Sequence, residues 1–89
     1  MSTVLELTPT GSFRAEVAAR LRQAIAVRNV KKSDIADAIE MNQASFSRRV
    51  NARLAINMDE ADLICSVLGI NRDWLLTGSG PMIDPDPSN

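Results

Sequence analysis

The stretch Ser33-Asp-Ile-Ala-Asp-Ala-Ile-Glu-Met-Asn-Gln-Ala-Ser-Phe-Ser-Arg-Arg-Val-Asn51 decides how this chain is read. Its first half sets Ile35, Ala36 and Ile39 at helical spacing, with Ser33 able to cap that helix and Asp34 near the positive end of its dipole. Glu40, Met41 and Asn42 interrupt the pattern. Asn42 is a good N-cap for a following helix from Gln43 to about Asn51, whose inner stripe is Phe46 and Val50, four apart. The remaining faces carry Gln43, Ser45, Ser47, Arg48 and Arg49. A helix with so little apolar surface must present much of itself to water or to a ligand.

Working outward, Phe13, Val17, Leu21 and Ile25 recur every four residues and predict an amphipathic helix from Ser12 to near Asn29, with a short loop from Val30 to Lys32 after it. On the other side, Asn57 followed three residues later by Glu60 resembles a capping box. Met58, Ala61, Ile64, Val67 and Leu68 are the expected core face of that helix, and Gly69 its stop. Asn71 is the expected cap of a last short helix, Arg72 to Leu76, ending at Thr77-Gly78, where Trp74 and Leu75 close the core. Residues 1–11, with Val4, Leu5 and Leu7, are expected to be a flexible arm or a short strand pairing with another chain. Three prolines in the seven residues after Gly80 spell a disordered tail over 79–89. The expected architecture is one all-α domain of five helices over 12–78, with the paired short helices at about 32–51.

Composition narrows the function. At 89 residues one modest core is the expectation. Aromatics are only 3% of a chain that is 45% apolar, so Ala, Leu and Ile supply the bulk, which favours close-packed helices over sheets. With no His and a single Cys, Cys65, metal ligation, disulfides, Cys-pair redox chemistry and His-based catalysis are excluded or nearly so, and no enzyme, cofactor or metal is expected. Cys65 is expected to be a buried, inert thiol. No apolar run approaches the roughly 20 residues that span a bilayer, and no signal peptide is evident, so a cytoplasmic protein without a membrane partner is expected. The net charge of -1 hides an asymmetry. Between Arg28 and Arg53 the balance is +3, whereas from Leu54 onward Arg72 stands alone against six acidic residues. A basic middle with an acidic C-terminal third is expected when one face meets phosphate.

Two short helices joined by a tight turn, the second polar on its outer surface, are the elements of a helix-turn-helix, whose second helix enters the major groove of DNA. Ala36 places a small side chain where the helices cross, Ile35 and Ile39 flank it, and Phe46 with Val50 reaches back to fix the angle. Asn42 at the helix start leaves backbone N–H groups pointing outward, a phosphate site.

On these residues, 33–51, and on the run from Met58 to Gly78, the chain resembles the lambda-repressor-like, Cro-type helix-turn-helix domains of phage repressors and bacterial regulators, from roughly Phe13 to Gly78. Two positions depart from that pattern. Glu40 stands where the turn usually carries Gly, which implies a left-handed Glu costing about 1 to 2 kcal/mol or a differently shaped turn. Arg49 stands where an inward apolar residue is common. Position by position, the resemblance implies that Gln43, Ala44, Ser45, Ser47 and Arg48 face base edges, and that Arg22, Lys32, Asn42, Arg49, Asn51 and Arg53 meet phosphates. Of Arg48 and Arg49, one is expected on phosphate or in a surface ion pair, and the residues alone leave open which. The implied partner is double-stranded operator DNA, bound by a weak homodimer or by a monomer acting cooperatively, with no small-molecule ligand. The implied role is a phage or prophage repressor or Cro-like switch on the nucleoid of a bacterial host. Alternatives are an antitoxin that represses its own operon and a helical interaction module that never touches DNA.

Overall fold

The computed structural model describes residues 12–83. The expected N-terminal arm and the tail from residue 84 lie outside the described residues. Five helices follow in order: α1 (Ser12–Arg28), α2 (Lys32–Ala38), α3 (Gln43–Val50), α4 (Met58–Leu68) and α5 (Arg72–Thr77). Among the described residues the fold is all-α, as the residue pattern predicts.

The ends of these helices are set largely by neighbours in sequence. Asn42 Oδ1 accepts from the Ser45 N–H at 2.8 Å, Asn71 Oδ1 from the Asp73 N–H at 2.9 Å, and Asn57 and Glu60 close a reciprocal capping box, all at the expected positions. α2 differs. It begins two residues early, with Lys31 instead of Ser33 at its N-cap and no side-chain cap. α1 stops at Arg28, and three residues, the left-handed Asn29, Val30 and Lys31, join it to α2, so Ser33 falls inside the first turn instead of capping it.

Each of the first four helices ends on a left-handed residue, after which an N–H bonds the carbonyl five residues back. At the end of α2, Glu40 N–H bonds the Asp37 carbonyl at 3.1 Å and Met41 N–H the Ala36 carbonyl at 2.9 Å, the paired bonds of a Schellman motif. That motif needs a left-handed residue at its corner. Gly69 supplies it for α4, but Asn29, Glu40 and Ala52 supply it for α1, α2 and α3, with φ of 56°, 59° and 64°. Of the two shapes open to Glu40, the left-handed one is adopted.

The core is filled by Leu21, Ile35, Phe46, Val50, Ile64, Leu68 and Leu75, with Ala18, Ala24, Ala36 and Ala61 where helices approach closely. Among the described residues no polar or charged residue is buried. α1 contacts α3, α4 and α5, α2 contacts α3 and α4, and α4 contacts α5. Three expected core positions lie outside it: Phe13 (62% exposed), Met58 (70%) and Val67. Phe13 sits a turn beyond the end of the core, so the inward face of α1 runs through Val17, Ala18, Leu21 and Ala24 instead. On α4 the inward face runs through Ala61, Ile64, Cys65 and Leu68, so Val67 turns outward while Cys65 is buried as expected. Phe13 and Met58 share an apolar groove with Val17, Leu54, Ile56 and Leu76. Beyond α5 the chain turns back: the Met82 carbonyl accepts the Asn71 N–H at 2.7 Å, and Met82 packs on the core. Residues 79–83, read from sequence as tail, therefore close the base of α5. No helix among the described residues is long and apolar enough to cross a membrane.

Candidate nucleic-acid interface

α3 has four rows of side chains along its axis, each row joining residues four apart. Phe46 and Val50 form the buried row, against the core made partly by Ile35, Ala36 and Ile39 of the preceding helix. Gln43, Ser47 and Asn51 form an exposed row, and Ala44 and Arg48 a second exposed row beside it. Ser45 and Arg49 form the last row and are half-buried. The bare wedge of the helix is thus the two rows Gln43-Ser47-Asn51 and Ala44-Arg48.

The chemistry of that wedge suits a mixed donor and acceptor surface. Gln43 offers both an amide N–H and a carbonyl, Arg48 a fork of donors, and Ala44 a methyl group. Ser47 Oγ accepts from Asn51 Nδ2 at 3.3 Å, which ties the exposed row to itself. Asn42 spends its side-chain oxygen on the Ser45 N–H.

Two cations come together beside the wedge. Arg22 of α1 and Lys32 at the start of α2 line one shallow pocket with Ile25, Ala26 and Val50. Arg22 Nη1 donates to the Val50 carbonyl at 2.6 Å, so this guanidinium also satisfies the C-terminal end of α3, where positive charge is favoured. Nothing in the residue pattern pointed to that bond, because it joins residues 28 apart. Arg20, two positions away, does the same for α5, with Nε 2.7 Å from the Leu75 carbonyl and Nη2 2.9 Å from the Leu76 carbonyl. Arg53 is exposed just beyond α3.

Arg49 stands apart from the other expected phosphate ligands. Its guanidinium forks onto Glu60 of α4, with Nε to Oε1 at 2.9 Å and Nη2 to Oε2 at 3.1 Å, while Nη1 donates to the Ser45 carbonyl at 2.9 Å. Both side chains are shielded, at 16% and 17% exposure. Arg49 therefore points into the fold and Arg48 out of it, which separates the two arginines that the sequence leaves equivalent. Ser45, expected among the base readers, stands on the same half-buried row as Arg49. Glu60 was legible only as a capping residue; no local signal marks its second partner, eleven residues earlier.

A family model described as Cro/C1-type HTH DNA-binding domain matches residues 20–73, from within α1 to the start of α5. Among curated proteins no match is found. The matched span is more than half of the chain and holds the buried Phe46-Val50 row, the exposed wedge and the Arg22–Lys32 pocket. The chain belongs to the Cro/C1-type helix-turn-helix family of DNA-binding domains.

Proposed function

We propose that this DNA-binding regulator is a repressor or Cro-like switch protein of phage or prophage type, acting by occupying operator DNA through the major groove. The observation that carries this reading is the wedge of α3: a helix pinned by Phe46 and Val50 with its two polar rows left bare. Gln43 bonds an adenine, Arg48 takes guanine O6 and N7, and Ala44 meets a thymine methyl, each good bidentate pair contributing roughly 1 to 3 kcal/mol of discrimination. Ser47 bonds within the same floor. Ser45, on the half-buried row with Arg49, reaches only the edge of the wedge. Lys32, Arg22 and Arg53, with Asn42 and Asn51 at the two ends of α3, hold phosphates and fix the docking register. Binding is the whole of the activity.

One unit of this size covers a half-site, so two copies act on a two-fold operator with half-sites about 34 to 36 Å apart, as a weak dimer or through cooperativity on DNA. Selecting bound duplexes from a random pool tests the reading. A palindromic consensus, with affinity falling steeply as salt rises, is the expected result. Failure to enrich any sequence, with no salt-sensitive binding to duplex, refutes it.

A further inference from the structure

Resting on that DNA-binding reading, we infer that Arg49 is a positioning residue instead of a phosphate ligand, and that Glu60 of α4 sets the roll of the reading helix through it.

The geometry of α3 makes such a device necessary. Phe46 and Val50 lie in one row, so the two buried contacts fix the helix along a line and leave rotation about that line weakly opposed. Side-chain tips stand about 6 Å from a helix axis, so a roll of about 10° carries them about 1 Å. Hydrogen bonds to base edges occupy a heavy-atom window only about half that wide. A third anchor off the Phe46-Val50 row removes the freedom, and the Arg49–Glu60 fork is such an anchor.

The anchor is itself held. Glu60 Oε1 also accepts the Asn57 N–H at 3.0 Å, and Asn57 Oδ1 accepts the Glu60 N–H at 2.8 Å, so the carboxylate is fixed to the first turn of α4 before Arg49 reaches it. Arg49 Nη1 bonds the Ser45 carbonyl one turn back on α3. The guanidinium thus bridges the backbone of the reading helix and the capping box of its neighbour, with Nε, Nη1 and Nη2 all engaged away from the bare wedge.

Two substitutions of opposite charge effect separate positioning from phosphate contact. Arg49→Met keeps the stem and removes the fork. Glu60→Gln keeps a side-chain oxygen for the capping box, which accepts Glu or Gln at this position, and removes the charge that holds the fork. Affinity of the full chain and its variants is measured on a duplex selected by the parent and on a random-sequence duplex, across a salt series, well below each variant's melting transition. Lys32→Ala serves as the phosphate control.

Both variants should lose about tenfold on the selected duplex, the double variant should be no weaker than the weaker single one, and the slope of log affinity against log salt should match the parent. On the random duplex neither should lose affinity by more than about twofold. A purely electrostatic effect would move the two variants in opposite directions, and global destabilisation would not change the ratio between duplexes. The inference is overturned if Arg49→Met makes the salt slope shallower by about one, as Lys32→Ala should, while Glu60→Gln binds like the parent. Parental affinity in both variants overturns it too. A parent that binds neither duplex defeats the DNA reading first and this inference with it.

Discussion

At the scale of single residues, the wedge and its flanks divide by chemistry. Gln43 presents a two-way amide on an exposed row, whereas Lys32 presents a point charge beside Arg22 at the edge of a pocket. Gln43→Ala should weaken binding at one or two base positions only; Lys32→Ala should weaken all sequences alike and reduce the salt slope by about one. Competition among single-base operator variants at two salt concentrations distinguishes them, and equal effects on every sequence would refute the division. Glu40 is a different kind of residue, held at φ 59° by the Schellman end of α2. Left-handed backbone costs a side chain about 1 to 2 kcal/mol, and glycine returns about 0.5 to 1 of that through its freer unfolded chain. Glu40→Gly should therefore stabilise the fold by about 0.5 to 1 kcal/mol in urea unfolding, and a lower midpoint would show that the Glu40 side chain makes a compensating contact.

Among elements, the mounting of α3 matters most. Phe46, 1% exposed, is its main buried contact, and Phe46→Ala should cost about 3 to 5 kcal/mol. A variant that melts like the parent would remove Phe46 from that role. The link from α3 to α4 carries a pH signature. Burial raises the pKa of Glu60, but hydrogen bonds from Arg49 and from the Asn57 N–H, together with the Arg49 charge, outweigh it and hold the carboxyl below its ordinary 4.5. The folded state thus favours the carboxylate, so the contribution of Glu60 is complete above about pH 4.5 and is lost as pH falls through the lower folded value. The stability gap between the parent and Glu60→Gln should be largest near neutral pH and close in acid, in urea midpoints taken across that range. A gap independent of pH would mean the carboxylate charge contributes nothing to holding α4 against α3.

Across the whole molecule, one buried thiol reports on global opening. Cys65 is the sole cysteine, and burial pushes its pKa up to about 11, with Arg72 lowering and Asp62 raising it by lesser amounts. Labelling by an aromatic disulfide near neutral pH should proceed only as fast as the core opens, accelerating with urea in step with loss of helicity. Immediate labelling of the native protein would place Cys65 outside the core. By itself the sequence determined the order of the helices and most of their ends. Asn42, Asn57 with Glu60, Asn71, Gly69 and Gly78 act within a turn of where they stand, so their roles can be read from spacing. It also determined the buried row of α3, because residues four apart share a face whatever the rest of the chain does. Only the tertiary structure decided which arginines are engaged internally. Arg20 and Arg22 reach carbonyls 55 and 28 residues away, and Arg49 forks across the loop onto Glu60 of the next helix, eleven residues on. A long cationic side chain can satisfy its donors on water, phosphate or any carbonyl in reach, and its choice depends on which helix end the packed fold brings beside it.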